Sequence, residues 1–485
     1  MNAPIRLADA PTGGWVAPEN PRLKFYSTLI ICVGCLFSYL TLPNGLEVDM
    51  YRYCAYTMVA TIGLAFGVEA LGGMRSLIRV DIVAIGAFYF LTFAEFLSPN
   101  TRVLYAQETG GGALACLIVL TALAGLAIGR QFPFPTRLKP QDVRLPEVSP
   151  RGLLACFFLF AFLGYLYVML VMKFNFIEIV TQVLRPRFQR PWQRGAEGDW
   201  RSFLTELKLL LYLCAALGGY VFANPAQFGA KARIGVSVIL AWMTFFDFAE
   251  GARNVVLIRV GLCLVTYFIA NRRAQSLKIL SLSIAGLALL WVASGYMLAA
   301  RNQGLGSYVT NGALGDRQDE FMIDNNMISI ARVAVVFPRD YAYPGMDIVT
   351  QVVTKWVPRA LWPGKPVGWS TTIEDALDTG GGYTLAVTYA GEAYLIAGIP
   401  SLVIVSLILG SAAATWTRVG LSARTNLDLV YYASGFFAAT LGMRSIQFIT
   451  IAMVPTVALY AFGRYLGRGK GRRGYIARRG PPRLQ

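Results

Sequence analysis

Histidine is missing from all 485 residues of the chain. Imidazole is the usual general base near neutral pH and the usual zinc ligand, so its absence excludes a His-based catalytic triad and any His-ligated metal. Charge is scarce as well: Asp, Glu, Lys and Arg together make up 15% of the sequence, against about 25% in an average soluble protein. No GxxxxGK[ST] loop occurs, which rules out ATP hydrolysis by a Walker fold, and no GxSxG elbow is present. Asp316, Asp319, Glu320 and Asp324 match no EF-hand spacing, and there is no DxD pair. Neither a bound metal nor any other cofactor is expected. The seven cysteines all fall in or at the ends of apolar runs, so none can staple a polar loop. Cys32 and Cys35 have CxxC spacing, but within an apolar run they read as packing residues.

What the chain has in abundance is apolar surface: 55% hydrophobic residues and a mean hydropathy of +0.51. That composition belongs to an all-α polytopic membrane protein. A helix needs about 20 apolar residues to cross a bilayer. Uncharged runs of that order cover residues 25–46, 109–129, 152–172, 209–230, 279–300, 393–417 and 445–463, and five charge-interrupted runs cover 53–74, 80–98, 234–250, 254–270 and 427–443. About twelve spans follow. Residues 1–24 form an N-terminal tail, 25–466 the helical bundle and 467–485 a basic tail. The first span is expected to serve as both signal and anchor.

Alternating the spans gathers 25 Lys and Arg on one side, whereas the short connections on the other hold four, Arg52, Arg102, Arg253 and Arg444. The positive-inside rule then places both termini in the cytoplasm. The polybasic C-terminal tail is suited to anionic lipid headgroups rather than to nucleic acid. Two long segments, 173–208 and 301–391, fall on the outer face and carry helix signals of their own.

The charged residues of that face are the candidates for chemistry. In the first loop Arg185, Arg187, Arg190, Arg194 and Arg201 are interleaved with Trp192 and Trp200. Guanidinium groups bind phosphate oxygens bidentately, and aromatic rings offer faces to sugars. An interfacial helix at headgroup level has the same composition. Asp247 and Glu250, three apart, share a helix face just before Arg253, and Arg259 follows deeper in the next span. They form either a buried ion-pair cluster or the rim of an anion-binding cavity. In the second loop, Arg301 stands at a helix end, and VPRALWPGKP holds Arg359, Trp362 and Lys365 in a proline-fixed segment. Glu392, bracketed by Tyr389 and Tyr394, sits at the outer start of a long span. It is either a carboxylate of raised pKa fit to act as a base or a helix N-terminal acid. Asp324 and Glu250 are its rivals.

VPRALWPGKP at 357–366, AGEAYLIAGIP at 390–400 and EGAR at 250–253, together with the two long outer loops, resemble the bacterial oligosaccharide repeat-unit polymerases, the O-antigen polymerases. The resemblance implies a protein of the bacterial inner membrane with about 12 transmembrane helices and two long periplasmic loops containing short helices. It implies a metal-independent glycosyltransferase that joins polyprenyl-diphosphate-linked oligosaccharide units at the periplasmic face. O-antigen, capsule or exopolysaccharide would be the product, and the flippase and chain-length regulator of the pathway would be its partners. Carried onto this sequence, Glu392, Arg253 and Arg301 would be catalytic. Arg359, Lys365, Arg185, Arg187, Arg190, Arg194, Trp362 and Tyr389 would hold the substrate and its diphosphate. The related ligases are expected to use a histidine that this chain lacks. Alternative readings are a transporter or flippase of a lipid-linked or anionic substrate, with Glu69, Asp81 and Glu95 as proton relays, and an O-antigen-ligase-like transferase.

Overall fold

A computed structural model describes residues 19–98, 109–135, 144–192, 201–271, 304–310, 325–355 and 386–478, with Val357, Trp362 and scattered positions between 281 and 297. All regular elements among the described residues are helices. The first half runs through α1 (Pro21–Leu40), α2 (Glu47–Ala70), α3 (Val80–Thr92), α4 (Gly112–Gly129), α5 (Pro150–Val171) and the short α6 (Phe176–Val183). Then come α7 (Leu210–Ala223), α8 (Ala230–Ala249) and α9 (Arg253–Ala270). The second long segment contributes α10 (Asn326–Val336), α11 (Met346–Thr354) and α12 (Thr388–Ala397). The chain closes with α13 (Ile399–Ser422), α14 (Asn426–Arg444), α15 (Gln447–Ala452) and α16 (Val454–Arg478).

Nine helices among the described residues are long and apolar enough to cross a membrane, and they correspond to nine of the twelve expected spans. Of the remaining three, the one expected at 80–98 is a helix of 13 residues followed by a 3-10 turn over Ala94–Leu97. The span expected at 427–443 is the 19-residue α14, made less apolar by its charged ends. That at 279–300 lies mostly outside the described residues.

The helix starts are written locally. Asn20 accepts from the amides of Arg22 and Leu23 ahead of Pro21, and Ser149 accepts from Gly152 ahead of Pro150; these side chains satisfy orphan first-turn donors while proline fixes the entry. Thr425 and Asp428 form a reciprocal capping box on α14, and the second Asp428 oxygen accepts from Leu145 at 2.8 Å. Asp428 is therefore a cap, which explains the charge at that span's end. Along α1, Phe25, Leu29, Val33, Leu36 and Leu40 form an exposed apolar stripe, as expected of a helix facing lipid. α4 lies in the bundle interior, pressed against α13 through small residues. A Cβ on Gly410 would collide with the Leu126 carbonyl, and one on Gly129 with that of Leu407.

At the end of the bundle opposite the two loops, four charges are buried together. Arg79 meets Glu69 at 2.8 Å and Asp81 at 3.2 Å, and Arg130 meets Glu69 at 2.9 Å. Thr417 donates to Asp81 at 2.9 Å, and Arg130 also donates to Ser27 at 2.8 Å and Thr28 at 3.1 Å. Two arginines and two carboxylates cancel in charge, so this clamp ties α1, α2, α3, α4 and α13 without a net charge in the apolar interior. Glu69 and Asp81, named as relays in the transporter alternative, are each ion-paired with guanidinium groups in this structure. Glu95 is also buried, at the loop-bearing end.

Candidate functional site

The loop-bearing end is organised by two interrupted helices. The long run expected to begin at 393 is broken at Gly398, whose φ of +73° carries the chain from α12 into α13; glycine takes that conformation without a Cβ clash. A second break falls between α14 and α15, where Ser445 adopts an extended conformation. Glu392 in α12 reaches across to this break. Its Oε1 accepts from the Ser445 hydroxyl at 2.5 Å and its Oε2 from the Ile446 amide at 2.6 Å. Glu392 is thus not an acid at the start of its own helix, as one sequence reading had it, but the bridge between the two breaks. Burial pushes its carboxyl up to about 7, although Ser445, the amides of Ile446 and Gln447 and the Lys355 cation favour the ionised form. A carboxyl half ionised near neutral pH is what general base catalysis needs in a chain without histidine.

The second loop segment is fastened around this carboxylate. Thr450 of α15 donates to the Val352 carbonyl of α11 at 3.0 Å, and Lys355, just past α11, stands 5.8 Å from the Phe448 ring. Tyr394 donates to the Phe337 carbonyl at 3.2 Å, tying α12 to the end of α10. Arg444, the last residue of α14, precedes Ser445 and shares a cavity of about 670 Å³ with Asn254 at the start of α9. Glu392 and Lys355 therefore meet near the α14–α15 break, and Arg444 leads into that break while lining the cavity.

A separate cluster joins the first loop to α8 and α9. Arg259 pairs with Asp247, and Lys208 meets Glu250 at 2.7 Å. The Trp192 indole donates to Glu250 at 3.4 Å and stacks on Phe246. Arg190 is fully buried and donates to the Ala249 carbonyl at 2.7 Å and to the Arg185 carbonyl at 3.0 Å. The ion-pair reading of this region holds, with Lys208 as the partner the sequence reading had not picked out. Burial raises the Glu250 carboxyl, but Lys208, Arg190 and Arg187 outweigh it and hold the carboxyl below the usual glutamate range. An ionised carboxylate locked to a lysine is a poor base, which leaves Glu392 ahead of Glu250.

The other expected site residues divide by position. Arg253 opens α9, half-buried, just after Gly251, whose φ of +65° turns the chain out of α8. Arg185 is exposed and Arg187 half-buried on the first loop. Trp362 is exposed. Tyr389 lies wholly in the core, with its hydroxyl 3.2 Å from the Ala122 carbonyl and its ring against Phe88; it has no surface to offer a sugar. Arg190 likewise serves the fold, closing the loop onto the end of α8. Arg194, Arg301, Arg359, Lys365 and Asp324 lie outside the described residues. Ser445, Lys355 and Arg444 were not legible as site residues, because each acquires its place only when the two helix breaks meet.

Among the described residues no three His, Cys, Asp or Glu side chains gather closely enough to hold a metal ion. Comparison with protein-family models, with curated proteins and with solved structures gave no match.

Proposed function

We propose that this protein is a glycosyltransferase of the bacterial inner membrane that polymerises polyprenyl-diphosphate-linked oligosaccharide repeat units at the periplasmic face. The observation that carries the reading is the buried Glu392 carboxylate, set at a helix break near the Lys355 cation on the loop-bearing end. A base with a cation nearby suits a reaction in which a sugar hydroxyl is deprotonated while an anionic leaving group departs.

In the proposed step the acceptor hydroxyl gives its proton to Glu392 and its oxygen bonds to the anomeric carbon of the donor. The bond from that carbon to the lipid diphosphate breaks, and the diphosphate leaves with the electron pair. Ser445 and the amides of Ile446 and Gln447 take up three of the lone pairs on the Glu392 oxygens, which leaves one with which to accept the proton. Arg444, Arg253 and Lys355, with Arg301, Arg359 and Lys365 of the second loop, neutralise the departing diphosphate. Electrostatic stabilisation of developing charge is often the largest single contribution to such catalysis. Arg185 and Arg187 on the first loop, with Trp362, are the further contacts to substrate. Both termini and the basic tail face the cytoplasm in this arrangement, and the flippase and chain-length regulator of the pathway are the partners.

The test is the exported glycan of a strain lacking the protein. A ladder collapsed to one repeat unit, restored by the wild type and not by Glu392→Gln, supports polymerisation. Full-length chains that stay unattached point to a ligase instead, and units accumulating on the cytoplasmic leaflet point to a flippase.

A further inference from the structure

The cavity that Arg444 and Asn254 share extends well beyond the polar site. Its wall on α9 is a continuous stripe, Asn254, Leu257, Ile258, Gly261, Leu262 and Val265, and eleven residues of helix rise by about 16 Å. The facing wall is α3, from Ile82 through Gly86 to Leu91, and α14 supplies Phe436, Phe437 and Leu441. Two tethers define the shape. α14 packs against both α3 and α9, and at the end away from the loops Arg75 donates to the Asn271 carbonyl at 2.5 Å, drawing the foot of α3 to the end of α9.

Polarity is confined to one end of this space. Two lining residues near the same end carry hydroxyls: Tyr89 donates to the Ala55 carbonyl at 3.0 Å and Thr440 to the Phe436 carbonyl at 2.8 Å. The other polar lining residues, Asn254 and Arg444, each with contacts of its own, belong to the loop-side ends of α9 and α14. A long apolar channel capped by a cation complements a molecule with a hydrocarbon chain and an anionic head. Gly261 widens it further, since a Cβ added there meets no atom within 4 Å, and one at Gly86 meets only Phe66 at 3.8 Å.

We infer that this cavity between α3, α9 and α14 seats the prenyl chain of a lipid diphosphate, with its diphosphate at Arg444 and Asn254. The inference rests on the proposed glycosyl transfer for the identity of the lipid. It adds how the substrate is oriented: the chain lies along α9, so the sugar attached to the diphosphate is delivered to the α14–α15 break where Glu392 waits.

The experiment places a photoreactive benzoylphenylalanine in place of Phe90, an aromatic residue already lining the cavity, and, as control, at Gly63, which is exposed on α2 with no atom within 4 Å of a Cβ. The intact protein sits in phosphatidylcholine nanodiscs doped with radiolabelled undecaprenyl diphosphate or, separately, with dioleoyl phosphatidylglycerol. Labelling by undecaprenyl diphosphate is expected to be about tenfold stronger at 90 than at 63, a difference of about 1.4 kcal/mol. Arg444→Ala should lower labelling at 90 severalfold, and Gly261→Phe should lower it by a similar factor. Equal labelling at both positions overturns the inference, as does equal labelling of 90 by the two lipids, which would make the cavity a place for ordinary bilayer lipid. Chain extension by the same preparations separates the two ideas. Extension that survives Gly261→Phe, with unchanged labelling, sinks the cavity and keeps the polymerase; strong, specific labelling without any extension keeps the cavity and sinks the polymerase.

Discussion

Replacing Glu392 by glutamine should remove a pH-dependent weakness from the fold. The side chain is buried, with 6% of its surface exposed, and its pKa rises from an ordinary 4.5 to about 7 in the folded protein. A group whose folded pKa exceeds its unfolded one favours the fold fully below the unfolded value, and that contribution is lost as pH rises through the folded one. The window here runs from about 4.5 to about 7. At about 1.36 kcal/mol per pH unit, the loss across it is roughly 3 kcal/mol. Glutamine is the right probe because it imitates the protonated acid: its oxygen still accepts from the Ile446 amide and its NH2 can donate to the Ser445 hydroxyl. Unfolding in mixed micelles at pH 4.5 and pH 8 reads the difference. Wild type should lose roughly 3 kcal/mol more than Glu392→Gln between these two pH values. Parallel pH profiles for the two proteins would refute the claim that burial controls this carboxyl.

Further outcomes follow from other contacts. Ser445→Ala removes a donor that favours the ionised form of Glu392; a hydrogen bond to a charged group contributes about 1.5–3 kcal/mol, so the rising limb of the pH–rate profile for chain extension should move up by about one to two pH units. A limb that stays put would separate Glu392 from the proton transfer. Arg130→Met leaves Glu69 with Arg79 and deprives Ser27 and Thr28 of their buried donor; the cost should be about 3–5 kcal/mol, measured in the same micelles, with unchanged proton flux in liposomes. Gly410→Val forces α4 and α13 apart at the Leu126 carbonyl. It should lower the yield of folded protein on gel filtration, whereas Gly67→Val, on an exposed face with no atom within 4 Å, should not. Lys208→Met strips Glu250 of its partner at the half-exposed side of the cluster, and the destabilisation should be only about 1 kcal/mol after solvent screening.

The spans were legible because hydropathy over about 20 residues is a one-dimensional property that the bilayer imposes on each helix separately. The caps at Asn20, Ser149 and Thr425 are local too, and their sequences announce them. Breaks in helices were not. In AGEAYLIAGIP the pair Gly398 and Pro400 marks the stop and restart, but it lies inside an unbroken apolar run that reads as one span, and the span expected from Ser445 hid the short α15. Glu392 was readable as a carboxylate at an apolar boundary, but its partners Ser445 and Ile446 lie 53 and 54 residues away. The partners of the intramembrane acids were hidden for a related reason: Arg130, which pairs with Glu69, lies 61 residues from it in sequence. Tyr389 looked like a sugar platform because aromatic residues beside an acid have that composition, yet its ring packs on Phe88.

The most direct measurement is chain extension by the purified protein in proteoliposomes supplied with lipid-diphosphate repeat units, followed across pH 5 to 9. Wild type should extend chains with a rate that rises through about pH 7, where Glu392 gives up its proton, and Glu392→Gln, folded and inserted normally, should lose that activity by about 10²-fold or more. Extension by Glu392→Gln at a wild-type rate, with the same pH profile, would contradict the account.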